Sequence, residues 1–220
     1  MTDVAELEVS ATGTYVNVLA SVARALSEAD FDCAAALIAP IAGEVWTGRF
    51  TNLARGGSRS AEPRPRAVTP RIRVDVLRRD RFHCTYCGQP VIPLPILVAI
   101  ADVFPDRFAY HPNYKRGHIH PAFWLLAPEI DHRLAHSRGG ASNLENLTTL
   151  HTVCNARKSD ALLADVAAAE VPSRDDRWDG LLGWYPAIVA AGNRHGARHS
   201  APGYHERWMR LFGLSAISGD

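Results

Sequence analysis

The sequence predicts an α+β fold: a short hairpin followed by a helix, pinned by a zinc knuckle, surrounded by helices and preceded by a helical N-terminal unit. Three observations predict it. Cys84-Thr85-Tyr86-Cys87-Gly88 places two thiols at knuckle spacing, and His151-Thr152-Val153-Cys154 repeats that spacing downstream. Pro128-Glu129-Ile130, ending in Asp131-His132, and the return from Asn146 to Leu150 flank a loop with Gly139-Gly140. Around them, apolar residues recur at helical steps.

A chain of 220 residues can bury one good core and a smaller satellite. Hydrophobic residues make up 47% and charged ones 21%, which places the chain in the soluble globular class. No run approaches the ~18–20 apolar residues of a membrane span, so no membrane partner is expected. The acidic start, Met1 to Glu6, lacks a basic n-region and an apolar h-region, which makes the cytoplasm the expected compartment. Net charge is only +1, but nine arginines crowd 55–81 against three acids. A basic segment leading into a site suits a phosphate backbone.

Taken in order, Thr14 to Ser27 reads as a helix through Tyr15, Val18, Leu19, Val22 and Leu26. Asp30 or Asp32 caps a second, which Pro40 ends. Cys33 within it reads as a small buried residue. Residues 56–68, rich in Gly, Ser, Pro and Arg, have linker composition. The domain expectation is therefore a helical unit at 1–55, a linker at 56–68, a central domain at 69–170 and a C-terminal helical extension at 171–220 packed on the core. A short helix from Arg71 to Arg79 delivers the chain to the knuckle. Residues 90–128 read as an insertion covering one side of the site, with a buried helix from Leu94 to Phe104. His111, His118 and His120 there read as packing or surface histidines. Thr152 to Ala169 is a helix, Trp178 to Ile188 another, and Tyr204 to Phe212 a last short one.

The chemistry concentrates in two sets. Cys84, Cys87, His151 and Cys154 supply three thiolates and one imidazole, a tetrahedral set suited to one structural Zn²⁺. Such a closed site leaves no position for a reacting water. Asp131 and His132 end the first strand, and the following helix carries Asn155 and Lys158 on one face. Phosphodiester hydrolysis needs a base, a divalent cation and cationic help for the spread charge. A histidine with pKa near ~6.5 is a fitting base. A carboxylate and an amide carbonyl are hard donors for Mg²⁺ or Mn²⁺. Lys158 and Arg138 can contact phosphate.

Asp131-His132, Ser137-Arg138-Gly139-Gly140, Asn146-Leu147 and Cys154-Asn155-x-x-Lys158, preceded by Cys84-x-x-Cys87-Gly88, together resemble the HNH (His-Asn-His) endonuclease family. More narrowly, they resemble its zinc-stapled, McrA-like branch. The resemblance covers about a quarter of the chain. It implies a ββα-metal (His-Me finger) core that hydrolyses DNA and leaves 5′-phosphate and 3′-hydroxyl ends. By position it makes His132 the general base and Asp131 and Asn155 the catalytic-metal ligands, while Asn146 fastens the loop and orients the base. Arg78, Arg79, Arg138 and Arg157 are the expected nucleic-acid contacts. The pattern departs from the family at Arg133-Leu134-Ala135, where an apolar residue and a Pro are usual, and at His151, where a third Cys is usual. The competing expectation is a zinc-stabilised nucleic-acid-binding module without catalysis. Nothing in the sequence marks a dimer seam.

Overall fold

The computed structural model describes residues 7–8, 11–48, 68–135, 139–158, 175–197 and 199–215. The linker expected at 56–68 lies outside them apart from Val68, as do Arg138 and the expected helix beyond Lys158. The elements are α1 (Thr12–Ser27), α2 (Phe31–Leu37), a 3₁₀ turn (Ala39–Ile41), α3 (Pro70–Arg79), α4 (Leu94–Val103), α5 (Ala122–Leu126), β1 (Pro128–His132), β2 (Leu147–His151), α6 (Thr152–Lys158), a second 3₁₀ turn (Leu182–Trp184), α7 (Tyr185–His195) and α8 (Tyr204–Leu211). The architecture is α+β: one antiparallel pair, β1–β2, among helices. Among the described residues no helix is long and apolar enough to cross a membrane.

The centre of the fold is α4. Its sequence, Leu-Pro-Ile-Leu-Val-Ala-Ile-Ala-Asp-Val, has almost no polar face, and Ile96, Leu97, Val98 and Ile100 are wholly buried. A helix apolar all round must be covered all round. α7 packs along it, α8 meets its end, and α1 lies against α5 and α7. Each such side chain contributes about 1.5–3 kcal/mol by leaving water. Residues 90–128 thus supply the interior as well as a cover, because the apolar surface of α4 exceeds what a lid can hide.

The N-terminal helices join this core. Leu19, Val22 and Leu26 of α1 are buried with Phe108, Phe123 and Ile188 in one cluster. Backbone bonds from Gly43 N to Arg107 O (2.7 Å) and from Trp46 N to Ile119 O (2.8 Å) stitch the two segments. Asp30 caps α2 by accepting from Cys33 N (2.9 Å). That cap fixes the phase of α2, which buries Ala34 and turns Cys33 out; Cys33 is exposed rather than the buried residue expected.

His120 shows how tightly the seam is made. It is 0% exposed, its Nε2 donates to Ile41 O (2.8 Å), and its Nδ1 accepts from Ala122 N (3.1 Å). Tyr15 and Phe108 pack on the ring at 5.5 and 4.5 Å. Burial pushes its pKa below the ordinary value, against the Ile41 bond and the Glu44 charge. The unfolded chain therefore takes a proton near pH ~6.5 that the folded ring refuses, and stability is lost as pH falls below that value. The wild-type melting temperature should drop between pH ~7 and ~5.5. His120→Gln should flatten part of that slope in paired thermal melts.

Candidate functional site

The knuckle is built by short-range turns. Gly88, at φ 73°, lets its N–H return to Cys84 O (2.8 Å), while Cys84 N donates to Gln89 O (2.9 Å). Thr85 N then donates to Thr149 O (2.9 Å), fixing the knuckle against β2. His151 ends β2, and Cys154 follows three residues on in the first turn of α6. The Sγ atoms of Cys84, Cys87 and Cys154 and a His151 ring nitrogen all lie within 4.8 Å of one another. His151 Nδ1 sits 3.4 Å from Cys87 Sγ and 3.8 Å from Cys154 Sγ, and its Nε2 is 2.9 Å from Pro90 O. With Nε2–H donated to that carbonyl, Nδ1 carries the lone pair a metal needs.

The donor set fits a soft-to-borderline dication. Crowding by Cys84 and Cys87, with burial added, pushes the Cys154 thiol far up. Against burial, hydrogen bonds donated by Cys154, Cys87 and His151 pull Cys84 well below its ordinary value, and donating to the sulfurs of Cys84 and Cys87 raises His151 to about 10. Three sulfurs this close cannot all ionise around a point without positive charge, and a dication at that point removes the conflict.

Among the described residues β2 pairs with a strand on one edge only, and α3, its cap Asp80 and Thr85 serve the other. Asp80, 5% exposed, accepts from Thr149 N through Oδ2 (2.9 Å). Arg79 pairs with Asp80 (2.8 Å) and donates to Leu147 O (2.7 Å) and Leu144 O. Arg78 donates to Phe212 O (2.6 Å), tying α3 to the end of α8, and Arg157 donates to Leu7 O (2.8 Å). Each of these guanidinium groups therefore commits one or more of its donors to carbonyls within the chain. An unpaired strand edge needs partners, and Arg79 with Asp80 provides them.

The face of the hairpin turned to α6 is acidic. Residues two apart on a strand share a face, so Glu129 and Asp131 project together. Asn155 donates to Glu129 Oε2 through Nδ2. Lys158, 2% exposed, donates to Asp131 Oδ2 (2.7 Å) and to His132 O (3.2 Å). Asn155 thus meets Glu129, and Lys158 is buried against the Asp131-His132 pair instead of reaching outward. Glu129 was not among the residues singled out from sequence. Its place two before Asp131 in a strand was the signal that could have found it. Burial, helped by the Asp131 charge, raises the Glu129 pKa against hydrogen bonds from Asn155 and Thr152. Glu129 and Asp131 thus offer carboxyl oxygens on one face, with the Lys158 ammonium on Asp131 and the Arg73 charge acting on Glu129. Hard oxygen donors of this kind fit Mg²⁺ or Mn²⁺.

His132 ends β1 with its Nε2 2.9 Å from Ser142 Oγ. The loop it borders is held by Asn146, whose Oδ1 accepts from Leu134 N (2.8 Å) and whose Nδ2 donates to Leu134 O (3.1 Å) and Ala141 O (3.0 Å). Gly140 makes that closure possible, because a Cβ there would stand 1.9 Å from Leu134 O and 2.7 Å from Asn146 Nδ2. Gly140→Ala should cost about 1–3 kcal/mol locally by overpacking. We expect it to lower any activity of the His132 loop while leaving bound zinc unchanged, as read by metal content alongside activity.

Beside Glu129 opens a cleft of about 340 Å³ lined by Trp46, Asn113, Tyr114, Trp124, Glu129 and Thr152. Trp46 and Trp124 lie 4.8 Å apart, and Tyr114 meets Trp124 edge-on at 4.7 Å. Trp46 reaches this place from the N-terminal helical segment, which no local sequence signal announces.

Among known families, the profile of the HNH endonuclease family matches residues 116–161. That span holds Glu129, Asp131, His132, Asn146, His151, Cys154, Asn155 and Lys158, and stops short of the Cys84–Cys87 half of the knuckle. Comparison with curated proteins and with solved structures gave no match.

Proposed function

We propose, from the HNH endonuclease segment that the chain carries, that it is a divalent-cation-dependent endonuclease acting on DNA. The observation that carries the reading is the acidic face of Glu129, Asp131 and Asn155 beside a closed thiol cluster. A divalent cation between these carboxyl groups and a phosphodiester would offset the repulsion between them. The closed Cys₃His set further supports the zinc-stapled, McrA-like branch.

In this mechanism Asp131, Asn155 and Glu129 would hold Mg²⁺ or Mn²⁺, which would supply neutralising charge for the phosphate and the departing oxygen. His132 accepts the proton of the attacking water as it bonds to phosphorus. Ser142 restrains the imidazole, and Asn146 holds the loop that carries Ser142. Lys158 acts as a positioning residue, fixing one oxygen of Asp131 and the backbone carbonyl of His132. Cys84, Cys87, His151 and Cys154 would hold Zn²⁺, joining the knuckle to the β2–α6 junction. Arg138 contacts the backbone.

The test is digestion of supercoiled, linear and single-stranded DNA by the zinc-loaded chain, with end mapping of the products. Nicked or linearised product with 5′-phosphate ends is expected. DNA that is bound and left uncut would favour the binding-module reading instead.

A further inference from the structure

A second group of metal-ligand residues lies at the other end of α4. Asp102, near the C-terminus of that helix, meets His199 in the loop before α8 and His205 within α8. Asp102 Oδ2 stands 3.3 Å from His199 Nδ1 and 2.8 Å from His205 Nε2, and the three ligand atoms all lie within 4.8 Å. The side chains are 19%, 16% and 7% exposed.

We propose that Asp102, His199 and His205 form a second metal site, for a borderline first-row dication such as Zn²⁺, that clasps the C-terminal helix to α4. Two donors bonded to one zinc at ~2.0–2.1 Å, at angles between square and tetrahedral, stand about 2.8–3.4 Å apart. The two measured separations fall in that interval. Two imidazoles and a carboxylate are a donor set for transition ions rather than for Mg²⁺ or Ca²⁺.

The surroundings are those of a built ligand set. Tyr185 Oη lies 2.8 Å from His205 Nδ1, so the ring nitrogen facing away from Asp102 has its own partner. Metal-bound imidazoles ordinarily have such a partner, which fixes tautomer and ring angle. The His199 ring rests on Tyr204 at 4.2 Å. The loop bearing His199 is held to the same helix end, with Ala197 N donating to Asp102 O (2.7 Å). Gly196 permits that approach, since a Cβ there would stand 2.0 Å from Asp102 O.

This inference is independent of the nuclease reading, and its test does not need catalysis. The full chain is loaded with Zn²⁺, dialysed and assayed for ions per chain. In parallel, it is titrated with Co²⁺ and followed by its thiolate charge-transfer band and by calorimetry. Wild type should hold one ion more than His199→Ala or Asp102→Asn. Its extra Co²⁺ should bind without adding thiolate intensity, and its melting temperature should rise with that last equivalent. Because His205 packs against Tyr185, His205→Gln risks misfolding, and the His199 loop variant keeps the comparison clean. Equal metal content in wild type and His199→Ala, or a last Co²⁺ that both bind equally, would overturn the proposal and leave a hydrogen-bond chain from Tyr185 to His199.

Discussion

His132→Ala should slow DNA cleavage by about 10²–10⁴-fold, the usual worth of a positioned acid–base group, with fold and zinc content intact. The separation follows from where the residue sits. The ring is half-buried and bonds to Ser142, outside the thiol cluster and outside the core around α4. What Lys158 uses at this position is the backbone carbonyl, which alanine retains. Removing the ring deletes the proton acceptor and its bond to Ser142. Single-turnover cleavage measured beside metal content and a thermal melt checks all three parts. Cleavage at the wild-type rate in purified His132→Ala would remove this residue from the chemistry.

Cys154→Ser should cost the chain its structural ion and, with it, the hairpin and α6. Structural zinc in small modules is worth roughly 10–16 kcal/mol at neutral pH, while a whole domain is stable by only about 5–15 kcal/mol. Cys154 is wholly buried, with its Sγ within 4.8 Å of those of Cys84 and Cys87. A serine there weakens the ligand set, and the thiols left behind stay buried and crowded. Zinc content should fall, and the far-ultraviolet melt should move sharply down or lose its cooperative transition. Treating wild type with a strong chelator should reproduce this. Cys33→Ser is the matched control, because Cys33 is exposed on α2. A Cys154→Ser protein that melts like wild type would refute the staple.

Much of this arrangement is written in local sequence. The α1 stripe, the polarity-free run of α4 and the capping Asp30 each act within a few residues, and periodicity reads them. The thiol cluster is legible for a similar reason: two half-sites with fixed spacing need only to be brought together. What local pattern does not carry is which distant groups meet. The burial of α4 by α7 and the sharing of one core with α1 depend on packing between segments about a hundred residues apart. Trp46 enters the cleft beside Glu129 by that route. The Arg79–Asp80 clamp on β2 looks, in sequence, like part of a basic stretch; it becomes structural only because β2 has an open edge. Lys158 reads as a surface cation until α6 docks and turns it onto Asp131. Glu129 was the most legible of the residues missed, since strand alternation alone places it beside Asp131.

The central claim is that the acidic face holds a cation which makes DNA hydrolysis possible. Its most direct test is the rate of loss of supercoiled plasmid against Mg²⁺ or Mn²⁺ concentration, with zinc-loaded wild type. The account predicts no cleavage without added cation, a rate that rises and saturates as cation is added, and an Asp131→Asn protein whose curve is displaced to higher concentration or flat. Cleavage that is equally fast without added Mg²⁺ or Mn²⁺, or an Asp131→Asn curve that overlays the wild type, would contradict it.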